Sequence, residues 1–378
     1  MSRTADWLAR LVRHETVSNL SNLALIEEVD GFLTGLGYRT QRLPDATEPK
    51  AGLYAEIGPP GPHGILLSAH SDVVPVAGQT WTRDPFTLSE DGERLYGRGT
   101  TDMKGYLAAM LAAAERAAAR KLTAPFQLLI SYDEEIGCVG LARMLPALPP
   151  LLGAPRLAVV GEPTEMRVAV GHKGKRAYRA KVQGQAGHSA LAPRFANAIN
   201  LAARFIGQLE EMQRDIAQNG TQDAAYDIPY TTLHVGMLNA GQALNIVPDH
   251  AEMRFEMRFL AEDDPDQIET RIKALADACA TAFGVPAGIK MTREIAYPGL
   301  TTDDAALIGQ LRRAAGTDTC KVAFGTEAGF LSGLGIPTLV CGPGAMQAQG
   351  HKPDEFITRA QLARCDKMLD ALIEDISC

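Results

Sequence analysis

Five short segments of this chain carry side chains that could do chemistry. The first is Ser68-Ala69-His70-Ser71-Asp72, which follows an apolar run. Residues two apart in a strand share a face, so His70 and Asp72 point the same way, and the Asp could fix the tautomer of a metal-bound imidazole. By itself the pair reads as a surface pair at a strand end. The second is Gly97-Arg98-Gly99-Thr100-Thr101-Asp102-Met103-Lys104-Gly105, at the entrance to an Ala-rich helix. Asp102 alone reads as a helix N-cap, and neither phosphate-loop pattern is matched. The third is Ser131-Tyr132-Asp133-Glu134-Glu135. Three adjacent carboxylates beside a buried strand repel one another unless a cation offsets them, or they form a solvated acidic turn. Gly161-Glu162-Pro163 and Gly350-His351-Lys352-Pro353-Asp354-Glu355 complete the set, and each alone suits a surface role.

Together the segments imply more. His70, Asp102, Glu135, Glu162 and His351 all fall at the C-terminal ends of expected strands or in the loops just after them. Open α/β sheets bind ligands along that edge. Two imidazoles and three carboxylates, with no thiolate, suit Zn²⁺, Co²⁺ or Mn²⁺. If Asp102 bridges, each of two metals receives one His, one carboxylate of its own and one shared oxygen. Two such ions, about 3.5–4 Å apart, lower the pKa of a shared water and polarise a carbonyl. Glu134, beside Glu135, is then the natural general base.

The elements that must hold these groups follow from the hydrophobic pattern. Continuous apolar runs at 64–68, 126–131, 156–160 and 336–340 suit strands covered on both faces. Strong helix formers fill 106–121, and 360–376 has helical apolar spacing. The alternation predicts an α/β domain with a mostly parallel sheet. The middle of the chain differs. Residues 175–183, 231–236 and 251–259 alternate with period two, and helices are expected at 196–218 and 265–283. This β-α-β-β-α order is that of a split βαβ sandwich. The expectation is therefore a discontinuous metal-binding domain, 1–175 with 292–378, interrupted by an inserted domain at 176–291.

The motifs SAHSDVVPV, GRGTTDMKG, SYDEEIG, GEPT, GQAGHSA and GHKPDEF, in this order and spacing, resemble the M20 metallopeptidase family, which includes aminoacylase-type and acetylornithine deacetylase-type hydrolases. The resemblance covers nearly the whole chain. It implies that His70 and Glu162 bind one metal, Glu135 and His351 the other, and that Asp102 bridges them. Asp72 would orient His70, and Glu134 would be the general base. It also implies two zinc ions, or a cobalt or mixed pair, and an inserted ferredoxin-like α+β lid that dimerises. His188, otherwise a plausible surface residue, would stabilise a tetrahedral oxyanion in a neighbouring subunit's site. Asn245 and Arg258 match lid positions that hold the substrate carboxylate, a task suited to a guanidinium. The family often has Asp where this chain has Glu256.

Several segments look like the acetylornithine deacetylase branch: GEPT at 161–164, HKG at 172–174, TEA at 326–328 and GPG at 342–344. Glu327 would contact a cationic side chain, favouring an ornithine-like tail over a diacid; its bland alternative is a helix cap. The implied substrate is N2-acetyl-L-ornithine, in arginine biosynthesis. Other members' substrates (a succinyl-diaminopimelate, another acyl-amino acid, an N-carbamoyl or N-formyl compound, a dipeptide) and a catalytically silent relative are the alternatives. Cys138 reads as structural.

Composition excludes other classes. The 378 residues, 46% hydrophobic and 22% charged, carry a formal charge of −8 and no dense basic run, which argues against a nucleic-acid partner. No stretch of about 18 apolar residues predicts a membrane span, and the N-terminus lacks a signal-peptide pattern. Six scattered cysteines without a CxxC suit reduced thiols, hence a cytoplasmic protein.

Overall fold

The computed structural model describes residues 2–285 and 288–378. The chain divides into two compact units, Met1–His172 with Leu300–Cys378, and Lys173–Gly299.

The first unit is built on a nine-stranded sheet. At its centre the strands Phe126–Ser131, Ile65–His70, Leu157–Pro163 and Thr338–Gly342 lie side by side and parallel. Their side chains are buried almost without exception. The two faces feed two cores. Ile65, Leu67, Leu128, Ile130, Val159 and Leu339 pack into one, while Leu66, Leu129, Val160 and Val340 pack into the other. That is why these strands read as continuous rather than alternating apolar runs. The flanking strands Arg39–Pro44, Ala51–Ile57 and Leu300–Thr301 pair antiparallel.

The helix Lys104–Ala118 lies almost wholly within the first core. Its alanines let it approach the sheet closely. At Gly161 the fit is closest: a Cβ there would meet the Tyr106 ring at 2.0 Å, so this position, next to Glu162, needs glycine. The C-terminal helix Arg359–Glu374 packs on the same helix and opens with a Thr358/Gln361 capping box.

The second unit is a four-stranded antiparallel sheet in the order Thr232–Ala240, His250–Phe259, Gly174–Gln183, Ile289–Tyr297. The helices Ala198–Asn219 and Pro265–Ala282 share a core with one sheet face, centred on Tyr178, Phe205, Phe255 and Ile272. The alternate positions carry paired charges, among them Lys175–Glu256 and Arg179–Glu294. The expected boundary at 291/292 needs correction. It cuts the last strand, whose residues 289–297 pair along Gly174–Gln183, so the unit extends to Gly299. That strand completes the β-α-β-β-α-β order of a ferredoxin-like fold. The other end moves from 175/176 to 172/173, because pairing begins at Gly174.

Candidate metal centre

Three central strands deliver the first groups. His70 ends the strand Ile65–His70, Glu162 lies in Leu157–Pro163, and the turn Tyr132–Glu135 follows Phe126–Ser131. The strands are parallel, so their C-terminal ends share one edge. Asp102 comes from the loop before the helix Lys104–Ala118. Met103 is that helix's N-cap residue and no side chain caps it, so Asp102 is not a cap. The loop turns tightly at Gly99, with φ +81°, against Val73, and the Asp102–Met103 peptide is cis. His351 sits in the loop after Thr338–Gly342, with φ +58°.

These residues converge. His70 Nε2 lies 3.2 Å from Asp102 Oδ1, and His351 Nε2 lies 3.0 Å from Asp102 Oδ2. The Asp102 carboxylate thus turns one oxygen toward each imidazole. Glu162 Oε1 is 3.8 Å from His70 Nε2, and Glu135 Oε2 is 3.0 Å from His351 Nε2. Two trios result, His70/Asp102/Glu162 and Asp102/Glu135/His351, each with donor atoms within 4.8 Å of one another. His70, Asp102 and Glu162 are buried, while the His351 side chain is 41% exposed and gives the centre its open side.

Asp72 works as a hub. Its Oδ1 lies 3.4 Å from His70 Nδ1, whose nearer neighbour is the Asp72 carbonyl at 3.0 Å. Asp72 also accepts hydrogen bonds from the backbone N–H groups of Glu134 and Glu135, at 3.1 and 3.3 Å, and from the Ser18 hydroxyl at 2.8 Å. It therefore anchors the acidic turn as well as facing the imidazole. The three consecutive acids diverge. Asp133 turns to the buried Lys50 ammonium at 2.7 and 2.8 Å, leaving Glu134 and Glu135 for the centre. Glu134 Oε1 accepts from the Cys138 thiol at 3.3 Å, so this buried cysteine touches the acid expected to act as base.

The electrostatics describe a site that needs cations. Burial, then the charges of Asp102 and Asp72, push Glu134 up to about 7; burial and Asp102 push Glu135 up to about 8. Burial, Asp102 and Glu134 hold Glu162 well above its ordinary value. Asp102 goes the other way. Burial opposes its charge, but hydrogen bonds from His351 and His70 outweigh it. For the same reason His351 is raised to about 10 and His70 well above its usual value, despite burial. With carboxylates crowded this closely, the site calls for positive charge, which divalent cations would supply. The residues fit divalent ions on a second count: Glu162 Oε1 is buried with no hydrogen-bond partner.

Glu327 stands in the same unit, 1% exposed. Its Oε2 accepts from Ser131 Oγ at 2.8 Å, and its Oε1 has no partner. Burial and the charge of Glu134 raise it to about 8. Glu327 occupies the N-cap position of the helix Ala328–Gly333 but makes no side-chain cap bond, and Thr326 Oγ1 takes the Ala328 N–H instead.

The other expected site residues lie in the second unit. The short strands Gly187–His188 and Ile246–Val247 pair, and Ser189 N–H donates to the Asn245 carbonyl at 3.1 Å, which makes His188 and Asn245 close neighbours. Both are exposed. Arg258 is engaged by Glu256 Oε1 and the Tyr297 hydroxyl, each at 2.9 Å. Glu256 thus pairs with the arginine despite being one methylene longer than Asp. All six cysteines are free, and among the described residues no helix is long and apolar enough to cross a membrane.

Sequence reasoning missed Cys138 as a partner of Glu134, the Ser18 hydroxyl and the Lys50–Asp133 pair. Only Cys138 carried a local signal, lying four residues, one helical turn, past Glu134.

Known proteins agree with this architecture. Residues 66–375 match the model of peptidase family M20/M25/M40. The chain is 35% identical over 367 residues to an acetylornithine deacetylase of Yersinia pseudotuberculosis serotype O:1b (strain IP 31758), covering 94% of this chain and 91% of that protein. Aminopeptidase PepT of Bacillus cereus superposes with a TM-score of 0.78 at 21% identity, covering 99% of this chain and 98% of that one. The YXEP protein of Bacillus subtilis, described as a dinuclear metal binding peptidase, superposes at 0.73 and 16% identity over 99% and 98%. This chain belongs to the peptidase family M20/M25/M40 and is a metal-dependent amidohydrolase of that family.

Proposed function

We propose that the enzyme removes the acyl group from an N-acyl amino acid through a two-metal centre, with N2-acetyl-L-ornithine as its substrate. The observation that carries the reading is the Asp102 carboxylate, one oxygen turned to each imidazole and a second carboxylate beside each. The 35% identity to a protein named acetylornithine deacetylase, over nearly the whole chain, supports the substrate.

His70, Glu162 and Asp102 would hold one ion, and Asp102, Glu135 and His351 the other. Zn²⁺ is the first candidate and Co²⁺ the second. Bound there, the ions would supply Lewis-acid polarisation of the amide carbonyl and make water a nucleophile near neutral pH. Glu134 takes the proton of the attacking water on its carboxylate and passes it to the departing amine nitrogen. Cys138 holds one carboxylate oxygen, and the Asp72 bond to the Glu134 N–H fixes the backbone. In the inserted unit, read as lid and dimerisation domain, Asn245 and Arg258 hold the substrate carboxylate. His188 donates to the tetrahedral oxyanion in the site of a second copy of the chain. Glu327 is kept as the acceptor for a substrate ammonium: a buried, half-partnered carboxyl gains from a cation. The reading places the protein in the cytoplasm, in arginine biosynthesis.

A hydrolysis panel on zinc-loaded protein tests this, comparing N-acetylornithine, N-acetylmethionine, N-succinyl-diaminopimelate and N-carbamoyl amino acids. N-acetylornithine is expected to have the highest kcat/KM, and Glu327→Gln is expected to erase its lead over N-acetylmethionine. A higher kcat/KM for the diacid or a carbamoyl compound overturns the substrate. An unchanged preference in Glu327→Gln removes that residue's role.

A further inference from the structure

One motif residue has no role in the reaction above, yet it has a dense set of contacts. Glu355 lies four residues after His351 and is 1% exposed. Its Oε1 accepts from the backbone N–H of Thr101 at 2.8 Å and of Asp102 at 3.1 Å. Its Oε2 accepts from the N–H of Gly99 at 3.0 Å and from Arg98 Nη1 at 2.6 Å. Arg98 is 0% exposed and reaches on to the Gln79 amide oxygen. The amide nitrogen of Gln79 in turn donates to the His351 carbonyl at 3.0 Å. The backbone adds Gly97 N–H to the Glu355 carbonyl at 2.9 Å, and the Thr101 hydroxyl to the Phe356 carbonyl at 2.7 Å.

The chain of contacts therefore runs from the loop bearing Asp102, through Glu355, Arg98 and Gln79, to the loop bearing His351. Those loops are some 250 residues apart in sequence, with the inserted unit between them. A short antiparallel ladder, Arg94–Tyr96 with Phe356–Thr358, ties the chain before one loop to the chain after the other, but among the described residues no ladder includes Asp102 or His351 themselves. A buried carboxylate that accepts four donors is strongly directional, because each donor lost is left unpaired in a dry environment.

We infer that Glu355 is a positioning residue that sets the spacing of Asp102 and His351 through Arg98 and Gln79, so the Asp102/Glu135/His351 position depends on it more than the His70/Asp102/Glu162 position does. The inference rests on the two-metal reading. The asymmetry follows from the contacts: the splint holds two groups of the first-named trio and one of the other. Glu355→Gln keeps the shape but turns one oxygen into an N–H₂ group, which must face either two backbone N–H groups or Arg98 and the Gly99 N–H. It therefore breaks half the cradle without opening a cavity.

The test is a Zn²⁺ titration of the metal-stripped full chain, with bound zinc counted by elemental analysis. His351→Ala marks which dissociation constant belongs to the Asp102/Glu135/His351 position. Outer contacts of metal ligands typically contribute about 10–100-fold in affinity. Glu355→Gln is expected to weaken that constant about 10-fold or more and the other by less than about 3-fold. Thermal unfolding of the stripped proteins checks the fold. Should Glu355→Gln fail to fold, Gln79→Ala decides, since Gln79 is only half-buried; the same constant alone should weaken several-fold. Two ions bound with unchanged constants, or both constants weakened equally, overturns the positioning role while leaving the two-metal reading intact. A wild-type chain that binds fewer than two ions overturns the two-metal reading itself, and the inference with it.

Discussion

Asp72 offers the sharpest test of how the centre is held. The informative perturbation is Asp72→Asn, which keeps the volume and changes one oxygen to N–H₂. Oδ1 faces His70 Nδ1 and the Glu134 N–H, while Oδ2 faces the Ser18 hydroxyl and the Glu135 N–H. The best placement puts the new N–H₂ at Oδ2, because the Ser18 hydroxyl can turn and accept. The Glu135 N–H then has no acceptor, which costs about 1–3 kcal/mol for a buried donor. The remaining bonds lose their charged acceptor, about 1 kcal/mol more in total. The metal-stripped variant should therefore be about 2–4 kcal/mol less stable, read from urea unfolding at pH 7. The Glu134–Glu135 turn also loses an anchor, and a shift near 1 Å in a reacting group costs roughly 100-fold in turnover. Unfolding free energies equal within about 0.5 kcal/mol, together with normal turnover, would refute the hub.

Two further outcomes separate the roles of individual groups. Glu134→Ala should keep its two zinc ions and lose roughly 100–10,000-fold in kcat; near-normal kcat ends the general-base assignment. In the inserted unit Glu269 accepts from Tyr178, Arg176, Lys273 and Arg293, and against the cost of burial these hold its pKa down to about 2. A depressed folded-state pKa means the stability is complete above the unfolded value near 4.5 and is lost as pH falls from there toward 2. Glu269→Gln should cost about 2 kcal/mol at pH 7, with its gap to wild type closing between pH 4.5 and 2; a gap constant with pH would place the effect in packing.

Much of the centre was legible because its chemistry is local. His70, Glu162 and the Asp133–Glu135 run each follow or end an apolar strand, and parallel strands must present their C-terminal ends on one edge. Asp102 was less so. Taken alone it suggested a helix cap, and only the packed helix shows Met103 in that place. The inserted unit's last strand was missed because residues 289–297 are mostly exposed and carry no strong alternation. The N-terminal strands Arg39–Pro44 and Ala51–Ile57 were missed too, one short and polar, the other interrupted by glycine and glutamate.

The sequence by itself determined the inventory: which strands are buried, which acids and imidazoles follow them, and that one domain interrupts another. These are matters of periodicity and of neighbours along the chain. Tertiary structure alone decided which of three consecutive acids face the centre, because Lys50 claims Asp133 from 83 positions away. It also decided that Glu355 grips the loop of Asp102, and that Glu327, at the head of a helix, is buried with its carboxylate bonded to Ser131 rather than to that helix's N–H groups. Each depends on a partner remote in sequence, and desolvation makes such a contact decisive only once the sheet and helices have closed over it.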